Sequence, residues 1–259
     1  MELNGAPVTL EEVKALALTN YGHFTSMLAE DGKVRGLSLH LQRLARDCRL
    51  LFDVELDTDM VRHCVRSALP DSGDRTVVRV TSYDPGIDLG TIGSDATPHI
   101  LVTKRSASDK VPSPMRLQAA SYQRELPTVK HIGLFGALQR RRTAQREGFD
   151  DVLFLNPDGY ISEVATSNIG FVRDGQIVWP RAAYLAGITM TLLHQELDEP
   201  VSTEPLSLAD LGQMEAAFAT NASTGVREIL SVDDVAWESG HPMLGELRKM
   251  YEDIPAETV

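Results

Sequence analysis

The chain has only two cysteines in 259 residues, Cys48 and Cys64. Both fall in helical patterns and offer no metal-ligand spacing, so they read as reduced core thiols and no metal centre is expected. Long apolar runs are also missing. No stretch approaches the roughly 20 residues that span a bilayer. The opening Met1-Glu-Leu-Asn-Gly-Ala-Pro7 lacks a basic segment followed by an apolar one, so no signal peptide is expected. Positive charge is scarce, with 25 Lys and Arg against 37 Asp and Glu and a formal net charge of -12. That balance disfavours a general nucleic-acid or anionic-membrane binder. Repeats and low-complexity tracts are absent. The expectation is a cytoplasmic protein that engages neither nucleic acid nor membrane.

What is present belongs to the globular range, with 42% apolar and 24% charged residues. A chain of this length buries a large core, as one long domain or two of ordinary size. A capped helix is expected over Thr9–Leu18 and a strand over Tyr21–Ala29. Asp31-Gly32 is the strongest hairpin signal in the chain. Ser38 is a plausible N-cap for a helix whose stripe is Leu41, Leu44, Ala45, Cys48 and Leu51, flanked by His40 and Arg43. A second amphipathic helix follows over Asp57–Leu69, then strands at Thr76–Ser82 and His99–Val102. The sequence divides into an N-terminal half, residues 1–105, a Ser- and Pro-containing linker, residues 106–114, and a C-terminal half, residues 115–259. In the second half a strand near Met115–Ser121 and a helix over Leu134–Arg146 lead into further strands and one more helix from Gly187. Strands with interspersed helices in both halves predict two α/β (α+β) domains and not one doubly wound sheet.

Two residues carry the chemistry. Lys130 lies in Pro127-Thr-Val-Lys-His-Ile-Gly-Leu-Phe-Gly136, among apolar and small neighbours. A desolvated lysine loses part of its preference for the ammonium form, which frees the amine to attack a carbonyl. Glu163 ends a short strand just after the turn Asn156-Pro-Asp-Gly159. An amine and a carboxylate held across a pocket match what pyridoxal phosphate needs, a Schiff-base lysine and an acid facing the pyridine nitrogen.

An anion could sit at Gly187-Ile188-Thr189, where a glycine precedes a helix start and a hydroxyl stands in the first turn. The small polar turn Thr220-Asn-Ala-Ser-Thr-Gly225 and the Arg43 guanidinium are further candidate donors. Taken singly, Thr189 also fits an ordinary helix cap, 220–225 an ordinary turn and Arg43 a surface residue. Arg140-Arg-Arg142 reads as a solvated helix face, or else as an anion clamp. Arg79 is a candidate for a substrate carboxylate, or else an exposed strand residue.

Together these segments resemble the fold-type IV pyridoxal-phosphate enzymes, the class IV aminotransferases. That group holds branched-chain and D-amino-acid aminotransferases, amine transaminases and aminodeoxychorismate lyases. The resemblance covers nearly the whole chain. It rests on Tyr21-Gly-His-Phe-Thr25, Leu39-His-Leu-Gln-Arg-Leu44, Val129-Lys-His131 and Asp158-Gly-Tyr-Ile-Ser-Glu-Val-Ala-Thr-Ser-Asn-Ile169. It continues through Leu185-Ala-Gly-Ile-Thr189 and Phe218-Ala-Thr-Asn-Ala-Ser-Thr-Gly225. It implies a two-domain fold with the cofactor cleft between domains, usually a homodimer. It implies that Lys130 carries pyridoxal 5'-phosphate as a Schiff base and that Glu163 pairs with the pyridine nitrogen. By the same resemblance Arg43, Gly187, Ile188, Thr189, Ala222, Ser223 and Ser167 bind the cofactor. The implied activity moves an amino group between an amine or amino acid and a 2-oxo acid. Aminodeoxychorismate lyase, which forms 4-aminobenzoate and pyruvate, is the alternative, and a degenerate non-catalytic member a further one. Two positions depart from the family pattern. Phe135 stands where many aminotransferases place a tyrosine five residues after the lysine, and Ala222 where several relatives have threonine. The Lys130-His131 pair and the Phe24-Thr-Ser start look closer to the lyase branch.

Overall fold

The computed structural model describes residues 1–70, 73–108, 112–197 and 201–259. The chain forms two compact units: Met1–Asp109 with Val129–Gly133 and Pro255–Val259, and Lys110–Thr128 with Leu134–Ile254. Two short segments of the sequence's second half therefore pack with the first unit. The linker expected at 106–114 falls in part on residues 109–111, which lie outside the described residues.

In the first unit the strands are β1 (Glu2–Leu3), β2 (Ala6–Pro7), β3 (His23–Glu30), β4 (Lys33–Arg35), β5 (Thr76–Tyr83) and β6 (His99–Ser106). Its helices are α1 (Leu10–Thr19), α2 (Leu37–Phe52) and α3 (Thr58–Ala68). Helix α1 starts where Thr9 and Glu12 cap each other reciprocally. Asp31 and Gly32 turn β3 into β4 with φ of 50° and 69°, the left-handed pair that a two-residue hairpin requires. The sheet is antiparallel throughout and runs β4-β3-β5-β6-β1-β2, with the chain's last strand, Ala256–Thr258, added beside β4. Alternation puts Met27, Val78, Val80, Ile100 and Val102 on one face, under Leu37, Leu41 and Leu44 of α2 and Val61, Cys64 and Val65 of α3. Each leucine buried this way contributes about 1.5–3 kcal/mol.

Ser38 is not the cap of α2. Gly36 occupies that position in the left-handed region and makes no side-chain cap bond. The Ser38 N–H instead donates to Glu257, at 3.1 and 3.2 Å from its two carboxylate oxygens. The last strand thus closes the amino end of α2, and Arg66 Nε donates to the Val259 carbonyl oxygen at 2.8 Å.

The second unit contains β7 (Met115–Ser121), α4 (Phe135–Arg146), β8 (Asp151–Leu155), β9 (Ile161–Val164), β10 (Asn168–Arg173) and β11 (Gln176–Pro180). It continues with α5 (Ile188–Glu196), β12 (Ser202–Glu204), β13 (Ala216–Asn221), β14 (Gly225–Val232), β15 (Val235–Ala236) and α6 (Pro242–Asp253). Its sheet runs β12-β11-β10-β13-β14-β7-β8-β9, with β15 on β14. Pairing is mixed: β11/β12, β14/β7 and β7/β8 are parallel and the rest antiparallel. Leu117, Leu153, Ile169, Phe171, Ala217 and Ile229 build the main core. Helix α4 covers Val152 and Phe154 through Ala137 and Ala144.

The arginine run on α4 is not a uniform solvated face. Arg140 stacks on the Tyr122 ring at 4.3 Å and donates to the Gly136 carbonyl, and Arg141 lies 3.4 Å from the buried Asp151 carboxylate. Only Arg142 is exposed. Both cysteines are free and buried, and burial pushes the Cys48 thiol up to about 11. Among the described residues no helix is long and apolar enough to cross a membrane, and no cluster of acidic, His and Cys side chains could hold a metal ion.

Candidate active site

On α2 the polar residues His40, Arg43 and Asp47 follow one another at i, i+3 and i+7, so they share a face of the helix. All three are buried, with Arg43 only 7% exposed. They hold the segment around Lys130 and a threonine of β3. Asp47 accepts the Lys130 backbone N–H on Oδ2 at 3.0 Å, while Arg46 donates to Oδ1 at 2.6 and 2.9 Å. The Lys130 carbonyl accepts from the Phe24 N–H at 2.9 Å, and the Ile132 N–H donates to the Gly22 carbonyl. Residues 130–132 are thereby fixed alongside the start of β3, and Lys130 Nζ stands 4.9 Å from the Phe24 ring centroid. The Arg79 guanidinium lies over the same ring at 3.7 Å and is half-buried, so it is not the exposed strand residue that β5 alone would suggest.

Arg43 departs from the surface reading. Its Nη2 donates to Thr25 Oγ1 at 2.7 Å, and its Nε has no partner among the described residues. Burial draws its pKa down to about 10 despite the nearby Asp47 charge. Thr25 Oγ1 also lies 2.6 Å from His40 Nδ1. Burial, then the charges of Arg43 and Lys130, hold the His40 imidazole well below its usual range. Burial lowers His23 to about 4, with Asp47 opposing.

In the second unit Glu163 sits on β9 and is 8% exposed. Arg124 grips it with two nitrogens: Nε to Oε1 at 3.0 Å, and Nη2 to Oε1 and Oε2 at 2.8 and 3.1 Å. The same Nη2 donates to the Pro127 carbonyl at 2.7 Å, which ties the loop leading toward Lys130 to the pair. Burial, then the Glu163 charge, raises the Tyr184 phenol.

The start of β10 braces two loops. Asn168 donates Nδ2 to the Leu185 carbonyl at 2.7 Å and accepts the Gly187 N–H on Oδ1 at 2.9 Å. This clamp sets the entry to α5, whose N-cap Gly187 carries no side-chain cap. A Cβ at Gly187 would run into Asn168 Oδ1, so the position needs glycine. Thr189, in the first turn, is 1% exposed, and its hydroxyl has no partner among the described residues. The Thr220 hydroxyl at the end of β13 is in the same condition. Ser167 Oγ accepts from Asn221 Nδ2 at 2.9 Å, and Asn221 Oδ1 gathers the N–H and hydroxyl of both Ser223 and Thr224 at 2.9–3.0 Å. Ser223 thus turns both its donors toward Asn221, beside the half-exposed Ala222.

Within the first unit the structure brings Arg43 and Lys130 to a common set of neighbours. Within the second it brings Ser167 and the 220–225 turn together, and sets Gly187, Ile188 and Thr189 at the head of α5. Phe135 is the first residue of α4 and is 82% exposed. Thr25, Asp47, Arg124, Asn168 and Asn221 were missed by sequence reasoning. Asp47 was the detectable one, since a third polar residue on the His40–Arg43 face breaks an otherwise apolar stripe.

The model of the amino-transferase class IV family matches residues 22–232. A probable branched-chain-amino-acid aminotransferase of Rickettsia bellii is 27% identical over 259 aligned positions, covering 89% of this chain and 86% of that protein. In fold, the chain is similar to the branched-chain amino acid aminotransferase of Thermobaculum terrenum, solved in its PLP form. That likeness has a TM-score of 0.84 at 21% identity and covers 96% of this chain and 89% of that one. A putative 4-amino-4-deoxychorismate lyase of Legionella pneumophila is similar at a TM-score of 0.84 and 21% identity, covering 96% of each chain. With most of its length matched, the chain belongs to the class IV aminotransferases, enzymes that work with pyridoxal phosphate.

Proposed function

We propose that this chain moves an amino group between an amino acid and a 2-oxo acid, with Lys130 as the covalent anchor of pyridoxal phosphate. The observation that carries this reading is Arg43, a buried guanidinium whose Nε has no acceptor among the described residues. A buried cation short of acceptors is a receptor for an anion, and a phosphate offers the bidentate geometry that a guanidinium matches. Within the second unit, the partnerless buried hydroxyls of Thr189 and Thr220 and the free N–H groups at the start of α5 are donors of the kind that a phosphate takes. The clamped Glu163 fits a pyridine nitrogen.

When bound, pyridoxal phosphate supplies the electron sink that stabilises negative charge at the substrate Cα. The chain supplies the rest. Asp47 fixes the backbone of Lys130, so Nζ is presented from a rigid segment. With the cofactor bound, the Lys130 amine would be the base placed to take and return the substrate's Cα proton. Glu163, held by Arg124, keeps a negative charge where the pyridine nitrogen needs one. Arg43, Gly187, Ile188, Thr189, Ala222, Ser223 and Ser167 orient the phosphate, directly or through the turns they build. Arg79, which shares the Phe24 ring with Lys130 Nζ, meets a substrate carboxylate.

We further infer a homodimer, a reading supported by the exposed apolar residues Leu126, Phe135 and Leu138, and a cytoplasmic location, supported by the two free buried cysteines. Light scattering at the mass of one chain would remove the dimer. The lyase reading keeps support from Phe24-Thr25-Ser26 and from Phe135, whose exposed ring brings no phenol to the cofactor. Release of 4-aminobenzoate and pyruvate from aminodeoxychorismate, with no amino transfer to any 2-oxo acid, would favour it.

The direct test is borohydride reduction of the protein with pyridoxal phosphate, followed by peptide mapping. Label on the peptide holding Lys130 is expected, and Lys130→Ala should lose both label and turnover while melting as the parent does. Transamination surviving in Lys130→Ala would overturn the mechanism.

A further inference from the structure

Three buried side chains of the first unit share two short contacts: Arg43 Nη2 donates to Thr25 Oγ1 at 2.7 Å, and Thr25 Oγ1 lies 2.6 Å from His40 Nδ1. Thr25 and His40 are fully buried. A guanidinium only donates, so one lone pair of the threonine oxygen is taken by Arg43. The hydroxyl has a single proton, and no other acceptor for it is present among the described residues. His40 Nε2 is buried and has no partner among the described residues. Were His40 to donate from Nδ1, both the Thr25 O–H and the Nε2 lone pair would be left unmet, whereas the reverse direction leaves only the Nε2–H unmet. The assignment that satisfies the hydroxyl runs one way. Thr25 donates to His40 Nδ1, and the imidazole carries its proton on Nε2.

We propose that Thr25 is a positioning residue: its one hydroxyl fixes His40 as the neutral Nε2–H tautomer and turns the Arg43 guanidinium so that its remaining N–H groups meet an anion. The anion arm rests on the functional reading of Arg43 given above, whereas the tautomer arm does not. Two consequences follow from the geometry. His40 has no lone pair to spare, since Nδ1 is occupied and Nε2 bears hydrogen, so it cannot take a proton from the neighbouring Lys130. The hydrogen-bond partner of Arg43 is neutral; the nearby Asp47 carboxylate is taken up by Arg46 and the Lys130 backbone, so the remaining guanidinium N–H groups are left for an incoming phosphate.

The tautomer is read in the full-length protein without cofactor, from the side-chain nitrogen spectrum of 15N-histidine-labelled protein, with His40 assigned by its loss in His40→Gln. The expected pattern is a protonated Nε2 and a bare Nδ1. Thr25→Ser keeps the hydroxyl and should preserve both that pattern and the affinity for inorganic phosphate and for pyridoxal phosphate. Thr25→Val keeps the shape and removes the hydroxyl. It should lose the fixed tautomer and weaken both dissociation constants about tenfold, the scale of one hydrogen bond to a charged group. A proton on Nδ1 in the wild-type protein overturns the proposal even if Thr25→Val fails to fold. So does a folded Thr25→Val that binds both anions as the parent does. Wild-type protein with the expected tautomer that binds neither anion would remove the functional reading and the anion arm, and leave the tautomer assignment standing.

Discussion

Replacing Arg124 by methionine removes the cation from a buried ion pair while keeping most of the side chain's apolar volume. Arg124 and Glu163 side chains are 7% and 11% exposed, and three nitrogen–oxygen contacts of 2.8–3.1 Å join them. Water cannot replace those donors without opening the loop that Arg124 also ties through the Pro127 carbonyl. Breaking one side of a buried pair costs about 3–5 kcal/mol, because the remaining charge is left uncompensated. At roughly 2–4 °C per kcal/mol for a protein of this size, the second unit should melt about 10 °C lower. Calorimetry of four proteins is the assay: the parent, Arg124→Met, Glu163→Gln and the double variant. The double variant should recover most of the loss in Arg124→Met, because it removes the stranded charge. Turnover should fall steeply in Arg124→Met, through a misplaced Glu163. An Arg124→Met protein that melts within about 1 °C of the parent, with additive effects in the cycle, would refute the coupling.

Other substitutions test other parts of the two units. Arg79→Met keeps contact with the Phe24 ring but removes the cation, and should raise KM for a 2-oxo acid about tenfold with kcat little changed. An unchanged KM would take Arg79 out of substrate binding. Gly187→Ala drives a methyl group into Asn168 Oδ1. It should cost about 1–3 kcal/mol by calorimetry and weaken pyridoxal-phosphate binding, and a protein of parental stability and affinity would contradict the clamp. Burial keeps the His23 pKa near 4, so between its ordinary 6.5 and about 4 the unfolded chain takes up a proton that the folded chain refuses. Stability present above pH 6.5 is therefore lost as pH falls through that window, by about 3 kcal/mol for His23 at pH 4. Urea titrations at about pH 7 and about pH 4.5 should show the loss, and His23→Asn should reduce it, with the buried His40 imidazole carrying part of the remainder. A parent whose midpoint is flat across that range would contradict the burial of a neutral ring.

What was legible in the sequence was local. The Thr9–Glu12 capping box, the Asp31-Gly32 turn and the stripes of α2 and α3 depend on residues a few positions apart, and their elements formed where the pattern put them. The Ser38 cap failed because the acceptor at that helix end is Glu257, 219 residues away, and no local rule reaches that far. Helix α6 and the final strand went unread, although His241 and Pro242 form a start signal of the usual kind. Arg43 was visible as a candidate, but its burial was not, since its partner Thr25 lies on β3, 18 residues earlier in the chain. Arg124 gave no signal at all, since its partner lies 39 residues on and in a different strand context.

The Glu257 carboxylate at the amino end of α2 also orders events in time. A chain leaving the ribosome exposes residues 1–109 first, yet these lack two pieces of their own unit, Val129–Gly133 and Pro255–Val259. The hydrogen bonds that the edge strand β4 makes with Ala256–Thr258 cannot form until the second unit has been synthesised. Completion of the amino-terminal sheet therefore waits for residues 256–258, at the loop-closure cost of a long-range strand pairing. Until it happens, β4 is an open edge, the kind of surface on which a nascent chain finds a wrong partner.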